Sequence, residues 1–124
     1  MGLKFMPSIA KKISKFTQRE IDYLFQHARR VIKTKECTVL LAPRQGTFGR
    51  VLIVASRKVG NAPQRNLVRR RIKSIFYEEK LYDRNFDCVV IAYDKIVSLS
   101  FDQLKSLILG AYSKVSQGHE NAIA

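Results

Sequence analysis

Gly60-Asn61-Ala62-Pro63-Gln64-Arg65-Asn66-Leu67-Val68-Arg69-Arg70-Arg71-Ile72-Lys73 is the stretch around which the rest of the chain organises. Asn61 suits a helix cap, because its side chain can accept from a free N–H of the first turn. Pro63 suits the first helical position, where it has no hydrogen bond to lose and a φ already helical. With Arg65 at zero and about 100° per residue, Arg69, Lys73, Asn66 and Arg70 fall at roughly 40°, 80°, 100° and 140°. They form one polar stripe. Val68, Ile72, Ile75 and Phe76 recur at i, i+4, i+7 and i+8 on the adjacent side and are expected to face the core. Each like-charged i,i+4 pair costs a few tenths of a kcal/mol. A polyanionic partner would relieve that repulsion.

Working outward, Cys37 to Ala42 and Arg50 to Ser56 are β-branched, apolar runs separated by Pro43-Arg44-Gln45-Gly46-Thr47-Phe48-Gly49. They read as an antiparallel pair joined by a flexible loop, the second strand leading into Arg57-Lys58-Val59-Gly60. Beyond the basic helix, which is expected to end near Lys80, Asp87 to Tyr93 is apolar enough throughout to be a buried central strand. Thr17-Gln18-Arg19-Glu20 is a capping box, with Phe16 and Ile21 placed as a hydrophobic staple. The helix it opens would bury Ile21, Leu24, Phe25, Ala28 and Ile32 and expose Arg19, Arg29, Arg30 and Lys33. Ser100-Phe101-Asp102-Gln103 is a second capping box, opening a helix with Leu104, Leu107, Ile108, Ala111 and Val115 inward. The expected fold is α+β: a single compact domain with a small mixed β-sheet packed with helices in the order α-β-β-α-β-α. Residues 1–15 form a flexible basic segment, 16–117 the domain and 118–124 a frayed tail.

The 124 residues hold one domain's worth of core, and 46% hydrophobic content excludes a basic disordered tail. Lys plus Arg 23 against Asp plus Glu 10 gives a net charge of +13, which calls for an acidic partner. Nucleic acid is favoured over a membrane, since no apolar stretch is long enough to span one and no lone Lys-rich amphipathic helix is present. Cys37 and Cys88 lie in expected buried strands, where a disulfide is possible but unnecessary. His27 and His119 stand at no metal-ligand spacing from either cysteine, so no metal site is expected. The apolar run before Lys15 is too short for a signal peptide, and the cytoplasm is the default location.

Ser56-Arg57-Lys58-Val59-Gly60-Asn61-Ala62, followed by Arg65-Asn66 and the basic helix, resembles the Arg-Asn-Arg signature of the bacterial ribonuclease P protein family. The resemblance extends in element order, length and charge from about Phe16 to Val115. It departs at Leu67, where the family's signature has a second Arg. Arg71, one turn on, is expected to reach over Leu67 and supply that charge. The resemblance implies a left-handed β-α-β crossover around the basic helix, against the usual hand, with Gly60 as pivot because glycine tolerates positive φ. It further implies a subunit that binds the catalytic ribonuclease P RNA and the 5′ leader of precursor tRNA, one protein per RNA. Cleavage is then RNA-borne, with magnesium ions held mainly by the RNA and no catalytic residue in the protein. The scattered acids agree: Asp22, Asp94 and Asp102 read as surface or capping groups, whereas two-metal hydrolysis needs converging carboxylates.

Two surfaces are expected on this basis. Arg57, Lys58, Arg65, Asn66, Arg69, Arg70, Arg71 and Lys73 would dock the RNA subunit, Arg being suited to bidentate phosphate contact. Phe25, with Ile21 and Tyr23, would line the leader cleft between the first helix and an open sheet face. Phe25 is the main platform there, although it could equally serve the core, and Ile21 stands where the family often has a second aromatic. A ribosomal or RNA-chaperone type protein, or a nuclease acting alone, would share the charge but not this segment.

Overall fold

The computed structural model describes residues 7–123, with side chains described from 9 to 115. Its helices are α1 (Pro7–Lys12), α2 (Gln18–His27), α3 (Ala62–Glu78) and α4 (Phe101–Ile123). The strands are β1 (Arg29–Lys33), β2 (Cys37–Pro43), β3 (Val51–Ala55) and β4 (Phe86–Ala92), arranged β1-β2-β4-β3. β4 pairs antiparallel with β2 and parallel with β3, so the sheet is mixed and α3 is the connection between the two parallel strands.

Alternation along the strands builds two unequal cores. Cys37, Val39 and Leu41 of β2, Val51 of β3 and Cys88, Val90 and Ala92 of β4 face one side, where they meet Val68, Ile72, Ile75 and Phe76 of α3 and Leu104, Ile108, Ala111 and Tyr112 of α4. The four α3 residues expected inward are 0–3% exposed. Burying such side chains contributes roughly 1.5–3 kcal/mol each, which outweighs the repulsion along the charged stripe. The opposite side is thinner: Leu24 of α2 packs on Ala42 and Val89, with Phe16, Ala28, Leu40, Leu52 and Ile91 around them.

Three expectations, for the first helix, the strand pair and the loop between its strands, change. The first helix stops at His27 because Ala28 is already extended (ψ 141°), and Arg29–Lys33 forms an edge strand on β2 with a bulge between Arg30 and Ile32. Cys37–Pro43 and Val51–Ala55 are not neighbours; β4 lies between them and takes hydrogen bonds from both. The loop joining them is tied rather than free, since the Gln45 and Arg50 backbone N–H groups donate to the two oxygens of buried Asp87 at 3.1 and 2.9 Å. The amino-terminal segment contains α1, and Ile13 after it is 1% exposed in the main core, its carbonyl accepting from the Val51 N–H at 2.7 Å. At the other end α4 continues past Gln117 to Ile123. Cys37 and Cys88 are free and buried; Cys37 pairs with Ala92, four residues from Cys88, which separates them by about 13 Å along the sheet and excludes a bridge.

Candidate nucleic-acid interface

α3 begins where β3 ends. Ser56 caps a 3-10 turn over Arg57–Val59, its Oγ accepting from the Lys58 N–H at 3.3 Å, and buried Val59 anchors that turn. Gly60 follows at φ 148°, a conformation that side chains resist, and a Cβ there would collide with the Gln64 side chain. Gln64 sits so close because it completes a capping box. Asn61 Oδ1 accepts from the Gln64 N–H, and Gln64 Oε1 from the Asn61 N–H, both at 3.0 Å. Ala62, not Pro63, is the first helical residue, and Pro63 takes the second position, where its missing N–H is equally harmless.

Two of the stripe's guanidiniums are held by the strand–helix junction. Arg65 Nη1 donates to the Gly60 carbonyl at 2.7 Å, and Arg69 Nη2 to the Ala55 carbonyl at 3.4 Å. Arg57, Lys58, Asn66, Arg70 and Lys73 are exposed, so seven of the eight expected docking residues gather on one side of α3 and its leading turn. The ion pairs among the described residues are Arg50–Glu20 and Lys105–Glu79, neither of them in the stripe. The stripe therefore presents positive charge that no described carboxylate neutralises. Arg70 and Lys73 also border a depression of about 310 Å³ where Ala10 and Ile13 meet Ser74, Tyr77 and Glu78. Arg71 departs from the group: its Nη1 donates to the Leu99 carbonyl at 3.3 Å, toward the start of α4, while Leu67 is left 39% exposed.

The second surface lies across the sheet. Leu24 seats α2 on the sheet, and Phe25 beside it is 44% exposed, which excludes it from the core. At about 100° per residue, half-buried Ile21 lies roughly 40° from Phe25 on the same flank, whereas Tyr23 lies on the other flank. Tyr23 is 43% exposed and stacks on His27, ring centroids 4.1 Å apart. Phe25 and Ile21 thus share a wall that Tyr23 does not. On the sheet, Val54 is 37% exposed, and Arg30 and Lys33 of β1 pair with Leu40 and Thr38 of the thinly covered side. These three were missed in the sequence, since the strand carrying Arg30 and Lys33 reads as the end of a helix.

A buried polar joint sets α2 against the sheet. Arg50, 9% exposed, donates through Nη1 to the Lys15 carbonyl at 2.9 Å and to Glu20 Oε1 at 3.1 Å, with its guanidinium carbon 4.3 Å from the Phe16 ring centroid. The hydrogen bond from Arg50, with the Thr17 N–H adding to it, lowers the Glu20 carboxyl to about 2. Gln45 Nε2 donates to the Glu20 carbonyl at 3.0 Å. Burial pushes the Asp87 carboxyl up, against the backbone N–H groups that favour its charged form. No three His, Cys, Asp or Glu side chains among the described residues converge to hold a metal ion, and Asp22, Asp94 and Asp102 are all exposed.

The ribonuclease P family model matches residues 10–116. The chain belongs to the ribonuclease P protein family. It is similar to the ribonuclease P protein component of Citrifermentans bemidjiense, 28% identical over 104 residues covering 84% of this chain and 90% of that one. It is also similar to that of Halalkalibacterium halodurans, 32% identical over 76 residues covering 60% and 64%. The solved ribonuclease P protein of Staphylococcus aureus shares the fold with TM-score 0.69 at 18% identity, covering 83% of this chain and 94% of that one. For the Thermotoga maritima protein the TM-score is 0.65 at 24% identity, covering 78% and 92%. This ribonuclease P protein is accordingly a subunit of a ribonucleoprotein endonuclease and works with the ribonuclease P RNA. The ribosomal and lone-nuclease readings fall with that assignment. Among its described residues no helix is long and apolar enough to cross a membrane.

Proposed function

We propose that the protein docks the ribonuclease P RNA through Arg57, Lys58, Arg65, Asn66, Arg69, Arg70 and Lys73, one protein per RNA, with Arg71 contributing from the flank. It holds the 5′ leader of precursor tRNA along the wall formed by Phe25 and Ile21, and so promotes removal of that leader. Tyr23, on the other flank of α2, adds at most an outer contact. The observation that carries the reading is the stripe itself. Arg65 and Arg69 are fixed on junction carbonyls while their neighbours stay exposed, without an acidic partner, at the edge of a half-covered sheet. Rigid cations lose little entropy on meeting phosphate. Phosphate contacts supply affinity and register, while a groove with an aromatic wall accepts unpaired nucleotides.

Magnesium, which the family resemblance implies, finds no cluster of three carboxylates among the described residues to hold it. The ion is left to the RNA, and the protein supplies binding and orientation only. The buried free thiols of Cys37 and Cys88 suit a reducing, cytoplasmic setting.

The test is reconstitution with a bacterial ribonuclease P RNA at low magnesium, following 5′ leader removal from a precursor tRNA. Cleavage that needs both components is expected. Cleavage by the protein alone, or none with both present, would refute the proposal.

A further inference from the structure

The part of the sheet that α2 leaves open carries an aromatic residue whose position is fixed by a contact across 55 residues of chain. Tyr93 follows β4. Its N–H donates to the Glu36 carbonyl at 3.0 Å, extending the β2–β4 ladder by one step, and its hydroxyl lies 2.7 Å from Thr38 Oγ1. Thr38 pairs with Ile91, on the same side of the sheet as Leu40 and Val89, so this hydrogen bond lays the Tyr93 side chain over the open face. The residue is half-buried, and Thr38 beneath it is only 5% exposed.

Two sets of cations flank this position. Lys33, exposed, is the cross-strand partner of Thr38. On the other side Ala55 pairs with Ala92, so β3 and β4 end together, and the Arg57–Val59 turn that follows β3 packs against the Asp94–Ser98 turn that follows Tyr93. Tyr93 therefore stands where the open sheet face meets the root of the basic helix, outside the carboxyl ends of two parallel strands. An aromatic ring held by its hydroxyl and bracketed by positive charge is a platform for an unpaired base.

We propose that Tyr93 stacks on one base of the leader, at the point where the strand passes from the sheet face to the RNA-docking helix. Tyr93 is thereby a specificity-determining residue of this chain. The inference rests on the leader-binding reading above.

The experiment measures affinity of the reconstituted holoenzyme for precursor tRNA with a leader, for the same RNA without one, and for a series with a single abasic nucleotide along the leader. Tyr93→Ala should weaken the leader-bearing RNA about tenfold, or ~1.4 kcal/mol, within the range of base–aromatic stacking, and leave the leaderless RNA unchanged. One abasic position should erase the difference between Tyr93→Ala and wild type. Tyr93→Phe, which keeps the ring, should stay within about threefold of wild type. 2-Aminopurine at the same leader position should be quenched on binding wild type and brighten with Tyr93→Ala. Equal weakening of leader-bearing and leaderless RNA, or no sensitive position, would overturn the assignment of Tyr93. Wild-type holoenzyme that does not distinguish the two RNAs would instead overturn the leader-binding reading itself.

Discussion

Replacing Arg50 with Met tests whether α2 is held in place by one buried cation. Met keeps much of the apolar stem but loses the hydrogen bond to the Lys15 carbonyl, the Glu20 ion pair and the contact over Phe16. A hydrogen bond from a charged donor contributes about 1.5–3 kcal/mol. The Glu20 pair, with side chains 11% and 34% exposed, is partly screened and contributes about 1 kcal/mol or less. The cation over the ring adds roughly 0.5–1 kcal/mol. Against these, Met removes a buried guanidinium whose Nε has no partner, recovering about 1–2 kcal/mol. The net expected loss is about 2 kcal/mol, which lowers Tm by roughly 8 °C for a chain this long. Thermal and urea unfolding at pH 7, with sulfate at constant concentration to offset the +13 charge, would measure it. Arg50→Met, Glu20→Gln and the double variant form a cycle in which the double should cost less than the two singles together, by about 0.5–1 kcal/mol. A Tm change under about 2 °C, or a strictly additive cycle, would refute the claim that this joint positions α2.

Glu20, lowered to about 2 in the folded protein from an ordinary value of 4.5, contributes stability that is complete above about pH 4.5 and is lost as pH falls toward 2. Asp87, raised by burial, acts with the opposite sign, so Glu20→Gln is to be compared with wild type at intact Asp87. The variant's stability should fall less steeply than wild type's below pH 4.5, and identical acid limbs in urea titrations would contradict this. Gly60→Ala forces a side chain into φ 148° and displaces Gln64 from its capping box. A loss of about 2–3 kcal/mol in urea unfolding is expected, and one below 0.5 kcal/mol would show that the junction relaxes freely. Because Arg71 is drawn to the Leu99 carbonyl, Arg71→Ala should weaken RNA-subunit binding less than Arg70→Ala at near-physiological salt. Leu67→Arg, which restores the family's third signature residue, should tighten it; filter-binding affinities ranking the three otherwise would reject the flank assignment.

What could be read from residues alone was whatever local chemistry decides. The capping boxes at Thr17 and Ser100 and the apolar face of α3 needed only neighbours within one or two turns, and all three formed. β1 was hidden because Leu24, Ala28 and Ile32 continue a helical i, i+4, i+8 spacing straight through it. What ends α2 is pairing of Arg29 with Leu41 and Lys33 with Thr38, which no local pattern contains. The expected β2–β3 hairpin failed for the same reason: the strand between them comes from residues 86–92, beyond α3. The docking stripe was visible as a helical wheel, but the expectation that Arg71 reaches over Leu67 could not foresee a carbonyl 28 residues away. Phe25 was preferred to Tyr23 as the platform in sequence, but only the seating of Leu24 shows that the two lie on opposite flanks.

Salt dependence of RNA-subunit binding tests the docking stripe most directly. Arg70 and Lys73 are exposed and hold no described carbonyl or carboxylate, so replacing both with Gln removes charge while leaving the helix intact. The slope of log K against log salt should become shallower by about 0.7–0.9 for each lost contact, with circular dichroism unchanged. A double variant that matches wild type in both slope and affinity would contradict the claim that this face of α3 meets the RNA.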